Sequence, residues 1–146
     1  MRGGEALDMM QALNTGHDGS FTTIHANTPR DVLSGMEAMI SMAGLEIPDK
    51  AIRQQVASAG HIVIQLFRLS DGSRHLASLS EITGLEAETI SMQEILRYTK
   101  LGVDDRGLVL ERFGPTGIRP RCAECIKAHD MELENSTFNE TPGGPL

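Results

Sequence analysis

"GHDGSFTTIHANTPRD", residues 16–31, decides how this chain is read. Two histidines, His17 and His25, flank a run of strand formers from Phe21 to Ala26. Directly behind it, Thr28-Pro29-Arg30-Asp31 has the form of a helix start: Thr28 as N-cap, Pro29 at the first helical position, Asp31 in the first turn. A strand that ends in a histidine and runs into a helix suggests an open α/β sheet, where ligands sit beyond the carboxyl ends of the strands. His25 is therefore the first candidate for function. A histidine at a strand end also serves simply to satisfy nearby backbone, and the residues alone leave both readings open.

Working outward, Ala6, Leu7, Met9, Met10 and Leu13 repeat at helical spacing, with Asn14 and Gly16 as the stop. Downstream, Val32, Leu33, Met36, Ile40 and Ala43 form the apolar stripe of the helix that Thr28 opens, and Gly44 ends it. A further helix is expected from Pro48 to Ala59, with Ile52 and Val56 inward and Gly60 as its stop. Then the period changes. "HIVIQLFRL" reads as a strand, Ser70-Asp71-Gly72-Ser73 as a hairpin turn, and "RHLASLSEI" as the partner strand. A short strand is expected at about Glu88 to Met92, and another from Leu108 to Phe113 after the turn Asp104-Asp105-Arg106-Gly107. Glu94 to Tyr98 fits strand or helix. A short helix is expected from Arg121 to about His129, and "MELENSTFNETPGGPL" has no period and is expected to be disordered. The order implies one helix and strand of an α/β layer followed by antiparallel strands. A lone strand at Phe21–Ala26 cannot form a parallel sheet, so its partners must come from elsewhere or be few.

Composition narrows the function. Apolar residues make up 40% of the 146, but aromatics only 3%, so the core falls to Leu, Ile, Val, Ala and the eight Met. A net charge of −7 speaks against general binding to nucleic acid or anionic membrane. No apolar leader follows Met1, and no apolar run approaches the ~20 residues of a membrane span. The cytosol is the default location, and Cys122 and Cys125 are expected to be reduced there. Cys122-Ala123-Glu124-Cys125 with His129 supplies three potential zinc ligands on one segment, short of the usual four. Small buried thiols are the expected account, with a zinc-binding adaptor as an alternative.

"RGGEALDMMQALNTGHDGSFTTIHANTPRDVLSGMEAMISMAG", "IRQQVASAGHIVIQLFRLSDGSRHLASLSEITGLE" and the closing "PTGIRPR" together resemble the secretion ATPase family, over roughly residues 2–128. These are the hexameric P-loop ATPases of type II and type IV secretion, conjugation and tight-adherence pili; the tight-adherence branch resembles the chain best. The resemblance implies a partial RecA-like α/β domain over residues 1–129, with an antiparallel β-hairpin extension and a disordered tail from 130 to 146. It implies ATP and Mg2+ in the complete protein, a homo-hexamer, and inner-membrane secretion or pilus components as partners. A cytoplasmic site at the periphery of the inner membrane follows, with no transmembrane segment and no direct nucleic-acid contact. His25 would be the histidine-box residue that senses the γ-phosphate, and His17 belongs to the same box. Thr22 and Thr23 would offer hydroxyls near phosphate or magnesium, and Arg2 follows the position of the catalytic acid.

The sequence also departs from the family. No Gly-Lys dipeptide occurs, since Lys50, Lys100 and Lys127 follow Asp49, Thr99 and Ile126. The P-loop needs that lysine and its glycine-rich backbone to hold phosphates. The family's catalytic Glu, in a "GEVRG"-like sequence, would fall just before Met1. Met1 stands where the family often has Val, as a GTG codon read as a start would produce. The chain alone is therefore expected to bind no ATP tightly and to hydrolyse none. A non-catalytic interaction subunit within such a ring is the alternative.

Overall fold

The computed structural model describes residues 3–15, 19–44, 46–59, 61–69, 72–106 and 109–139. The chain is mixed α/β. Three helices come first, α1 (Gly3–Asn14), α2 (Pro29–Ser41) and α3 (Asp49–Ala59). Four strands follow, β1 (Ile62–Arg68), β2 (Arg74–Glu86), β3 (Thr89–Val103) and β4 (Val109–Pro115). They form one sheet in the order β1-β2-β3-β4. A short helix α4 (Cys122–Ala128) and a 3-10 turn, Asn135–Phe138, close the described chain.

Two compact units divide these elements. The first holds residues 1–61 and the segment 82–92 around the tight turn between β2 and β3. Its core is built from helical stripes, as the apolar spacing requires: Met10 of α1, Leu33, Met36 and Ile40 of α2, and Ile52, Val56 and Ala59 of α3. Ile90 joins them, with Ile82, Leu85 and Met92 packed alongside. Asn14, the expected stop of α1, ties it to α3, because its Oδ1 accepts the Ser58 hydroxyl at 2.8 Å. Arg53 of α3 reaches Glu37 of α2 at 3.2 Å and Glu88 of the turn at 3.8 Å. Gly44 has left-handed backbone, φ 78°, but α2 already stops at Ser41 with Met42 as its C-cap, so Ala43 lies past the helix.

The second unit holds residues 62–81 and 93–146. β1 pairs antiparallel with β2, Val63 opposite Ser80 and Phe67 opposite His75, with a bulge after Gln65. Ser70 and Asp71 lie outside the described residues, but the hairpin they were expected to turn is closed by Leu69 N–H on the Ser73 carbonyl at 2.9 Å. Gly72 supplies the positive φ, 89°. β3 pairs antiparallel with β4, Tyr98 opposite Phe113. Among the described residues, Ile95, Ala123 and Phe138 are the buried apolar side chains of this unit.

Three further expectations change. Phe21 to Ala26 has strand-forming residues but no strand: it runs outside any helix or strand, with Phe21 94% exposed. Strand formation is a property of pairs, and no neighbouring strand meets it among the described residues. The ambiguous Glu94–Tyr98 is strand, the middle of a 15-residue β3 rather than a separate element. Finally, the tail read as structureless makes a 3-10 turn with Phe138 buried, its ring under the Arg119 guanidinium at 6.0 Å. Residues 140–146 lie outside the description. No helix among the described residues is long and apolar enough to cross a membrane.

Candidate functional site

The segment leading into α2 is set from both sides. Ile24 is half-buried and packs against the core of the first unit. Its neighbours Thr23 and His25, and Thr22 before them, are exposed. Four residues after Ile24, Thr28 caps α2: its extended backbone (φ −135°, ψ 160°) turns the hydroxyl back to accept the Asp31 N–H at 3.1 Å. Pro29 costs the helix nothing at its first turn, where an N–H would have no partner. The imidazole of His25 is thus held in water, between an apolar anchor and a helix start, and takes no part in capping that helix.

The structure brings Thr22, Thr23 and His25 onto one open stretch. His17 and Arg2 lie outside the described residues. Three groups on an exposed segment can touch a terminal phosphate, through hydroxyl and imidazole donors. They do not enclose one. The sequence has no Gly-Lys dipeptide of the kind that cradles phosphates in a P-loop.

The cysteines differ from expectation. Cys122 is half-buried, but Cys125 is exposed and so is not a packing thiol. His129 directs Nδ1 to the Cys125 carbonyl at 2.9 Å. Among the described residues, no three or more His, Cys, Asp or Glu side chains are grouped to hold a metal.

Two centres escaped the sequence reading. Glu81 is 4% exposed and accepts from the backbone N–H groups of Arg121 at 2.8 Å and Cys122 at 2.7 Å, and from the Gln93 amide at 2.9 Å. Burial alone would raise its pKa, but these donors outweigh burial and hold the carboxyl below its ordinary value. Second, Tyr98 donates to Glu111 and sets its ring 4.9 Å from that of Phe67 at a 60° tilt, with His75 at the edge. That hydrogen bond to Glu111 is the main reason the Tyr98 hydroxyl is pushed up. An acid inside the apolar-rich "LASLSEI" was the available signal for Glu81; nothing local marked Tyr98.

The model of the type II/IV secretion system protein family matches residues 1–125. The chain belongs to that family. A conjugal transfer protein of Rhizobium radiobacter, TrbB, is 32% identical over 74 residues, 51% of this chain and 22% of that protein. A protein of Mycobacterium tuberculosis that bears a conjugal transfer name is 37% identical over 86 residues, 59% of this chain and 24% of that protein. The chain therefore spans about a quarter of the length of these family relatives. Their names point to conjugal transfer, and neither carries a tight-adherence name.

Proposed function

We propose that this chain is the carboxyl-terminal part of a RecA-like ATPase domain, and that the complete domain powers type II/IV-class transport, of which conjugal transfer is the form its relatives' names favour. The observation that carries the reading is the placement of His25. Within a chain that belongs to the secretion family, it stands exposed at the approach to α2, fixed by Ile24 and Thr28 and unused by the helix cap. In the complete domain, His25 donates to the γ-phosphate, and Thr22 and Thr23 present hydroxyls beside it. Bound magnesium-ATP supplies the phosphoryl group and its charge; residues outside this chain hold it. A homo-hexameric ring at the cytoplasmic face of the inner membrane is the assembly in which the site works. Without a Gly-Lys loop, this chain by itself forms no nucleotide site.

The test joins the chain to a family segment that carries the P-loop and the catalytic Glu. The fusion should hydrolyse ATP. His25→Ala should lower its kcat by about 10²–10³, the scale of losing one preorganised donor, while ATP affinity changes little. Equal turnover in the variant would show that His25 is a bystander, and a fusion that folds without ATPase activity would refute the domain assignment.

A further inference from the structure

The sheet of the second unit carries a hydroxyl, an imidazole and a carboxylate in line. Ser73 leaves the β1–β2 turn and His75 lies two residues on, in β2. Ser73 Oγ is 3.0 Å from His75 Nε2. The other ring nitrogen, Nδ1, faces Glu111 Oε1 of β4 at 4.0 Å. That is an ion-pair distance, longer than a hydrogen bond, so the carboxylate acts on the ring through its charge. It favours the tautomer with the proton on Nδ1, which leaves Nε2 to accept from the Ser73 hydroxyl. Tyr98 of β3 donates to Oε2 of the same carboxylate and holds it in place. The Phe67 and Tyr98 rings flank the imidazole, with centroids 5.9 and 6.4 Å away. Lys100 is two residues beyond Tyr98 on β3, opposite Glu111 in the register with β4, and is exposed. Ser73, His75 and Glu111 are half-buried, so a small molecule can reach the hydroxyl. A hydroxyl on a base, with the base oriented by a third group, is the pattern of an activated nucleophile, and the contact to the third group is commonly long before substrate binds.

We propose that Ser73 is an acyl-accepting nucleophile for small activated esters, with His75 as its general base and Glu111 as a positioning residue. Ser73 Oγ attacks the ester carbonyl carbon and its proton passes to His75 Nε2. The bond from that carbon to the ester oxygen then breaks, and the leaving alcohol takes the proton from Nε2. Ser73 is left as its acyl ester. Water attacks the acyl carbon and gives a proton to Nε2, and the Ser73 oxygen leaves and recovers that proton. The sum is one ester and one water converted to one carboxylic acid and one alcohol. Lys100 supplies positive charge beside the oxyanion that forms at the carbonyl, and the faces of Phe67 and Tyr98 receive the apolar part of the acyl group. The site does not rest on the ATPase reading, since all of its residues belong to the second unit.

The experiment incubates the full chain with p-nitrophenyl acetate, follows nitrophenolate release and maps the acetyl group by peptide mass. One acetyl group is expected on Ser73, at a rate that falls in urea and falls at acid pH, where a protonated His75 has no lone pair for the hydroxyl proton. Ser73→Ala should lose that adduct, and His75→Gln should slow its formation about 100-fold, the lower end of general-base contributions. Glu111→Gln should slow it about tenfold, the scale of one charge at this distance near a surface. It should also move the pH profile to lower pH, which loss of a merely structural contact would not do. Acetyl groups on lysines alone, equal acetylation of Ser73 in urea, or an unchanged rate in His75→Gln overturns the site. An unmoved pH profile in a cooperatively melting Glu111→Gln chain overturns the positioning role. If that variant does not melt cooperatively, Glu111→Asp decides: the carboxylate, drawn back by one methylene, should slow acetylation, and an unchanged rate overturns the role.

Discussion

α2 and α4 solve the same problem in opposite ways. A helix start exposes backbone N–H groups that need acceptors. α2 takes its acceptor from Thr28, the residue directly before it, so the nearby imidazole of His25 is left with nothing to do inside the fold. α4 has Arg121 at its cap position and no side-chain cap of its own. Its acceptor comes instead from Glu81 of β2, 40 residues earlier, which is buried and fully engaged in the process. Local capping frees a polar neighbour for a ligand; remote capping consumes the polar group that performs it. The first arrangement suits a sensor, the second a pin.

The contrast breaks most visibly at the pin. Glu81→Ala leaves the N–H groups of Arg121 and Cys122 and the Gln93 amide without their acceptor, and each buried orphan costs about 1–3 kcal/mol. We expect a loss of roughly 3 kcal/mol in urea unfolding; a loss under ~1 kcal/mol would show that water replaces the carboxylate. The same centre has a sign in pH. Its folded pKa lies below the unfolded value, so its stabilisation is complete above the ordinary carboxylate range and is lost as pH falls through that range and below. Melting midpoints followed downward from neutral pH should show this dependence, and Glu81→Gln should flatten it.

A smaller effect belongs to the local cap. Thr28→Ala removes the acceptor for the Asp31 N–H and should cost about 1 kcal/mol. The smallest belongs to His25, the proposed sensor. His25→Ala, at an exposed position, should move stability of this chain by less than about 0.5 kcal/mol. If the histidine change instead costs as much as the threonine change, His25 is part of the capping structure and the distinction between the two helix starts collapses.

The same distinction explains what could be read in the sequence. Thr28-Pro29 announced α2 because every participant lies within four residues, and Gly72 marked the hairpin by backbone conformation alone. His25 was legible as a candidate through the box around it. The lack of a strand at Phe21–Ala26 was not, because a strand needs a neighbour and no local residue shows whether one is there. β3 was cut short in the reading since Glu94, Arg97 and Lys100 interrupt its apolar pattern, although pairing with β4 carries the strand through them. Glu81 showed only as an acid in an apolar-rich stretch, and its role stayed hidden for the corresponding reason: its donors are supplied by Gln93, Arg121 and Cys122, which only the fold gathers.

Tyr98 gives the molecule a built-in optical reporter of one unit only. The sequence has a single tyrosine and no tryptophan, and that tyrosine sits among Phe67, His75 and Glu111 in the second unit. A carboxylate that accepts a phenol's proton in a hydrogen bond quenches its emission, so loss of the Tyr98–Glu111 bond should brighten the chain. Unfolding of the three-helix unit leaves this signal dark and must be followed by helical circular dichroism. Two curves that coincide would mean the units melt together; two that separate would give each its own midpoint from one unlabelled sample.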